Sequence, residues 1–117
     1  MQFPIEQIDE LRSIYPDVKQ MEEGGTPYFL LPNVSLPGGA TPATVDLLLR
    51  PVHMDGYDSR LFYSQQPTFA NRTHPEALNW NAQGVHMLSR NWYAFSWRTK
   101  PGLTLAQMVA MHLRAVR

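Results

Sequence analysis

Proline interrupts this chain ten times, and that feature limits its possible folds more than any other. Each proline fixes its own φ, removes a backbone donor and pushes the preceding residue away from the helical region. This argues against a bundle of long helices and for short strands joined by many turns. Helical patterning is confined to the two ends. In "FPIEQIDELRSIYPD", Ile5, Ile8, Leu11, Ile14 and Tyr15 recur at helical spacing. Pro4 suits a first turn, and Glu6, Asp9 and Glu10 stand near the positive end of the helix dipole. Pro16 ends the segment.

The closing segment has its own start signal. Thr104 and Gln107 fit a capping box, with Leu103 and Met108 placed as a hydrophobic staple around it. Leu105, Met108, Val109, His112, Leu113 and Val116 share one face, and Arg114 and Arg117 lie at the negative end of the dipole. A helix of about three turns held onto a sheet is expected.

Between the helices, "YFLLPNVSL" and "ATVDLLLRPV" flank the turn "PGGATP" and read as neighbouring antiparallel strands. "YDSRLFYS" reads as a third strand, with Leu61 and Tyr63 on one side and Phe62 on the other. Residues 65–83 are rich in turn formers and read as one long irregular stretch, either a functional loop or one packed by its own Phe69 and Trp80. The expected fold is α+β in one domain, 1–117. It has an N-terminal helix, an antiparallel sheet of three or four strands, a long irregular segment, and a C-terminal helix packed on the sheet.

Composition removes several function classes. The chain has no cysteine, so disulfides, thiolate-bound zinc and thiol catalysis are excluded. The longest apolar run, Val45 to Leu49, is broken by Asp46, and the acidic N-terminus has no leader-like core. A cytoplasmic protein without membrane contact is expected. Net charge is zero but unevenly spread. Residues 1–23 hold six acids against two bases, whereas no acid follows Glu76. An acidic beginning and a basic last third can steer a charged partner.

Potentially reactive groups concentrate in "NAQGVHMLSRNW", residues 81–92. Gly84, His86, Ser89 and Arg90 give this stretch the look of an active-site loop, yet Met87 stands where a nucleophile would be expected.

Three stretches resemble the ubiquitin-conjugating (UBC-like) fold and its non-catalytic RWD relatives. "IDELRSIYPD" is similar to the first RWD helix, which ends in Ile-Tyr-Pro. "THPEALNWNAQGVHML" resembles a His-Pro-Asn motif followed by Gly and then Cys-Leu. "SWRTKPGLTLAQMVAMHL" resembles the Trp, Pro and helix that follow the catalytic loop. The subgroup most similar is the bacterial UBC-like proteins found beside ubiquitin-like conjugation genes. The resemblance implies a protein that meets a ubiquitin-like protein or its activating enzyme. The first helix is the usual seat of the activating enzyme, and the outer sheet face can hold the ubiquitin-like protein. It puts Glu6, Asp9, Glu10 and Arg12 on a partner-binding surface.

The chain also departs from the family pattern. His74 and Pro75 match the motif, Glu76 replaces its Asn, and Met87 falls on the catalytic Cys. Asn91 replaces a family His. A thioether has no proton to lose and cannot carry an acyl group through turnover. A carboxylate at Glu76 would repel the oxyanion that the family's Asn is thought to stabilise, a role commonly worth about 3–4 kcal/mol. His74, Pro75, Glu76, His86, Met87 and Ser89 therefore read as a vestigial site.

These residues admit other readings. His86 and Ser89 could form an acyl-transfer pair, but no nearby acid orients the ring. His53, His74, His86 and His112 have no metal-ligand spacing, and no cofactor is implied. His112 reads as a satisfied, partly buried side chain. Trp80, Trp92, Tyr93, Phe95 and Trp97 with Arg90 and Arg98 could stack on single-stranded nucleic acid, yet the chain lacks the net positive charge of such binders. The paired glycines have no following Gly-Lys-Ser/Thr and read as turns. The expected function is a catalytically inactive UBC-like binding module or scaffold. The alternatives are an RWD-like interaction module unrelated to ubiquitin-like proteins, or the Ser89/His86 enzyme.

Overall fold

The computed structural model describes residues 3–117. Helix α1 spans Ile5–Ile14, with Pro4 immediately before it. Eight strands follow: β1 (Lys19–Glu23), β2 (Thr26–Ser35), β3 (Ala40–Thr41), β4 (Thr44–Arg50), β5 (Arg60–Tyr63), β6 (Thr68–Phe69), β7 (Ala82–Met87) and β8 (Arg90–Ala94). Helix α2 (Leu105–Leu113) and a 3-10 turn, Arg114–Val116, close the chain. The α+β class is as expected.

The main sheet has six antiparallel strands in the order β1-β2-β4-β5-β8-β7. This corrects the expectation of three or four. Strand β1, "KQMEE", is an edge strand with four of its five residues exposed, so it shows no apolar alternation. Strand β7 is likewise exposed except at its ends, Ala82 and Met87. Strands β3 and β6 form a separate two-residue ladder.

Alternation in the central strands divides the interior in two. Phe29, Leu31, Leu47, Leu49, Leu61 and Tyr63 point to the helix side. There they meet Ile8 and Leu11 of α1, and Leu105, Val109 and Leu113 of α2. Tyr28, Leu48 and Phe62 point the other way and meet Ala82, Met87, Trp92 and Ala94 of the β7–β8 hairpin. Burying a Leu or Phe side chain is worth about 1.5–3 kcal/mol, so both faces contribute to stability.

The sheet curls around its second face. Glu23 ends β1 at one edge, and Leu88 follows β7 at the opposite edge. Yet the Leu88 N–H donates to both carboxylate oxygens of Glu23, at 3.1 and 3.2 Å. Arg90 of β8 also reaches Asp46 of β4, at 3.0 Å.

The start of α2 follows the expected chemistry. Thr104 and Gln107 form the reciprocal capping box on α2. On α1, only Ile8 and Leu11 are buried, while Ile5 is 62% and Ile14 56% exposed. At about 100° per residue, each lies roughly a quarter-turn from the Ile8–Leu11 direction, so the buried stripe is narrower than expected. The irregular stretch is anchored by its aromatics: Trp80 lies 5.5 Å from Tyr63 and 5.1 Å from Phe95, both edge-on. Among the described residues, no helix is long and apolar enough to cross a membrane.

Candidate functional site

Most of the segment 81–92 lies in the β7–β8 hairpin. Residues Leu88 and Ser89 make its two-residue turn, with φ of 51° and 63°. Both values lie in the left-handed region that two-residue hairpin turns require. Gly84, at φ 66°, sits where the register of the β7–β8 ladder shifts. The glycine that suggested a catalytic loop is therefore explained by strand geometry.

Met87 points into the second apolar cluster and is 8% exposed. Its sulfur accepts a hydrogen bond from the Tyr28 hydroxyl at 3.5 Å, and its carbonyl accepts one from Trp92 Nε1 at 3.0 Å. Burial pushes the Tyr28 hydroxyl pKa up, which keeps it a donor. Met87 is thus a packed thioether.

The remaining nominated residues lie elsewhere. The His74 ring stands edge-on to Trp97 at 4.9 Å, and its Nδ1 accepts from the Glu76 N–H at 3.3 Å. Thr73 and His74 donate backbone N–H groups to the Arg117 carbonyl, and Arg72 donates to the carbonyls of Ala115 and Glu76. These bonds tie residues 72–76 to the end of the chain, on the helix side with Trp97. Met87 packs in the other cluster, so His74 and Met87 lie against different faces of the sheet. His86 Nδ1 is 3.4 Å from Asn91 Oδ1 across the hairpin, and among the described residues no hydrogen bond joins His86 to Ser89. That leaves no assembled serine–histidine pair there.

A serine–histidine contact occurs instead at a position the sequence reading did not nominate. Ser59 Oγ is 3.0 Å from His112 Nε2 and 2.9 Å from Thr99 Oγ1. Both Ser59 and His112 are buried, at 1% and 2% exposure, so no substrate reaches the hydroxyl. Burial lowers the His112 pKa to about 4, so the ring is neutral at physiological pH. The group is a hydrogen-bonded core element, as expected for a satisfied histidine, though fully and not partly buried.

The four residues assigned to partner binding, Glu6, Asp9, Glu10 and Arg12, are all exposed on α1. They are not equally free. Glu10 Oε1 accepts from the Thr104 hydroxyl at 3.1 Å, and Gln7 Oε1 accepts from the Leu105 N–H at 3.3 Å. These bonds fasten α1 to the N-terminus of α2, where a carboxylate is favoured. Glu6 and Asp9 remain as the acidic ridge, with Ile5 and Ile14 on its flanks.

The aromatic belt is mostly interior: Trp92 and Phe95 are buried, and Trp80, Tyr93 and Trp97 are half-buried. It does not offer an exposed ladder for bases.

Buried arginines were also missed. Arg50 and Arg60 face each other as register partners on β4 and β5, at 5% and 8% exposure. Their signal was available: each falls two residues from an inward-facing Leu48 or Phe62, on the same side of its strand. Among the described residues, no group of three or more His, Cys, Asp or Glu is arranged to hold a metal. Comparison with protein-family models, curated proteins and solved structures returned no match.

Proposed function

We propose that this chain is a catalytically inactive protein of the UBC-like class, RWD-like in build. It would act in a bacterial ubiquitin-like modification system by binding the activating enzyme through the exposed face of α1. The observation that carries this reading is Met87, a buried thioether at the position that aligns with the conjugating cysteine. Neither thiolate nor access exists there, so the mechanism is non-covalent recognition.

The order of elements supports the class. One amphipathic helix leads into β1, β2, β4 and β5, which lie side by side in chain order, and both helices cover one face. Of the two docking surfaces that the resemblance implies, the outer sheet face is filled at Tyr28, Leu48 and Phe62 by the chain's own hairpin. This favours the activating enzyme on α1 over a ubiquitin-like protein on the sheet. Glu6 and Asp9 would meet a basic surface, and Ile5 and Ile14 would supply apolar contact area.

The test is calorimetric titration of the chain with the activating enzyme of its own organism. The expected result is reversible binding that weakens at least about tenfold when Glu6 and Asp9 are both changed to Lys. Binding unaffected by that double charge reversal would contradict the assignment to α1. Absence of binding at high concentration would contradict the link to the modification system.

A further inference from the structure

The second cluster of charge lies away from α1, where β4 ends and β5 begins. Arg50 and Arg60 are adjacent like charges, each largely removed from water. Burying a guanidinium without a counter-ion is costly, and two side by side add repulsion. Their protein partners do not balance this charge. Arg60 donates to the neutral Asn81 amide oxygen, and Arg50 to the Met54 carbonyl. The nearest carboxylate is Asp55, 3.8 Å from Arg50 and 71% exposed. The Nε atoms of both arginines are buried without a partner.

A third guanidinium joins them. Arg60 lies 4.4 Å and Arg98 5.1 Å from the centre of the same ring, Tyr57. Arg50 and Arg60 each lie 5.6 Å from the Phe62 ring. Stacking on aromatic faces holds the guanidinium planes while leaving in-plane donors available. Tyr57 is itself held, donating to Ser96 Oγ at 3.1 Å and accepting from Asn81 at 3.1 Å. The Asp55–Gly56 turn lies beside Arg98, which donates to the Gly56 carbonyl. The other nearby acid, Asp58, is engaged by His53 at 2.9 Å. Of the three guanidiniums, only Arg50 has a carboxylate within 4 Å among the described residues, the exposed Asp55.

We propose that Arg50, Arg60 and Arg98 around Tyr57 form a binding site for a phosphate-class oxyanion, with Asp55 as the internal competitor that the ligand displaces. The chemistry is that of fork-like donors meeting a tetrahedral or planar oxyanion. Arg98, exposed at the rim, is the entry residue, and displacement of the exposed Asp55 side chain opens the way to Arg50 and Arg60, which are 5% and 8% exposed.

The probe is inorganic phosphate, titrated at constant ionic strength against chloride while the arginine Nε–H resonances are followed by NMR. Saturable shifts at Arg60 and Arg98 are expected. Arg98→Gln, an exposed change that should not disturb folding, should weaken binding about tenfold or more. Asp55→Asn should tighten it severalfold, because it removes the competing charge. Arg114→Gln, an exposed change that touches none of these residues, should leave it unchanged. Repeating the titration with methyl phosphate distinguishes a free anion from a phosphate ester as the preferred ligand. Linear shifts without saturation, or shifts indifferent to both Arg98→Gln and Asp55→Asn, would mean an adventitious ion only and would overturn the proposal.

Discussion

Replacing Met87 with Cys places the only thiol of the chain where the proposed UBC-like reading would put a conjugating cysteine. The structure makes a definite prediction for that thiol. The side chain enters a cluster with Tyr28, Leu48, Phe62 and Trp92 and is 8% exposed. Shortening it removes roughly two apolar carbons, about 1.5 kcal/mol of transfer energy, and the residual cavity raises the cost to about 2–3 kcal/mol. Tyr28 also loses its sulfur acceptor. In this apolar setting the thiol pKa should rise, opposite to what a transfer cysteine needs. Alkylation would then require the hairpin to open. An opening cost of about 2.7 kcal/mol or more slows labelling about 100-fold or more relative to the unfolded chain. The assay is iodoacetamide labelling at neutral pH, native against urea-denatured, read by mass spectrometry. No thioester should form with an activated ubiquitin-like protein. Labelling at the rate of a free thiol, or a reductant-sensitive adduct, would refute the buried placement and reopen the catalytic reading.

Three further outcomes follow from named contacts. The unfolded His112 takes up a proton near pH 6.5, whereas the folded one waits until about 4. Its contribution is therefore complete above 6.5, lost as pH falls, and levels off below about 4. Urea unfolding at pH 5 should show about 2 kcal/mol less stability from this group than at pH 7.5, and His112→Gln should remove that difference. Changing Leu88-Ser89 to Asn-Gly should stabilise the protein by about 1–2 kcal/mol, since side chains other than Asn and Gly are strained at positive φ. A thermal melt that does not rise would contradict the turn geometry. Glu23→Gln should weaken the bond that joins the sheet edges, and Leu88 amide exchange should accelerate about fivefold.

The legible parts of the fold were those governed by local chemistry. Thr104 and Gln107 announce the start of α2 through a cap that needs no tertiary information. The opposed directions of Leu61 and Phe62 follow from strand alternation alone. What escaped depended on contacts distant in sequence. Strand β1 is polar and pairs along one edge only, so its existence rests on the β2 backbone and not on its own side chains. The β7–β8 hairpin was hidden because its turn uses Leu88-Ser89 instead of the Asn-Gly type that normally marks one. Its reactive-looking residues also invited a chemical interpretation.

For the candidate site, the exposure of Glu6 and Asp9 was readable from helix periodicity. The engagement of Glu10 by Thr104 was not, because the two lie at opposite ends of the chain. The separation of His74 from Met87 was equally invisible, since it depends on which face of the sheet each segment covers. Arg50 and Arg60 could have been found, by asking why two strands rich in apolar residues place a cation on their inward side.

The most direct test of the central claim is an amide NMR titration of the labelled chain with its organism's activating enzyme, and in parallel with the ubiquitin-like protein. The account predicts saturable shifts confined to α1 and the neighbouring start of α2, produced by the activating enzyme and reversed by dilution. Shifts centred on the β7–β8 hairpin, or a covalent adduct there, would contradict it.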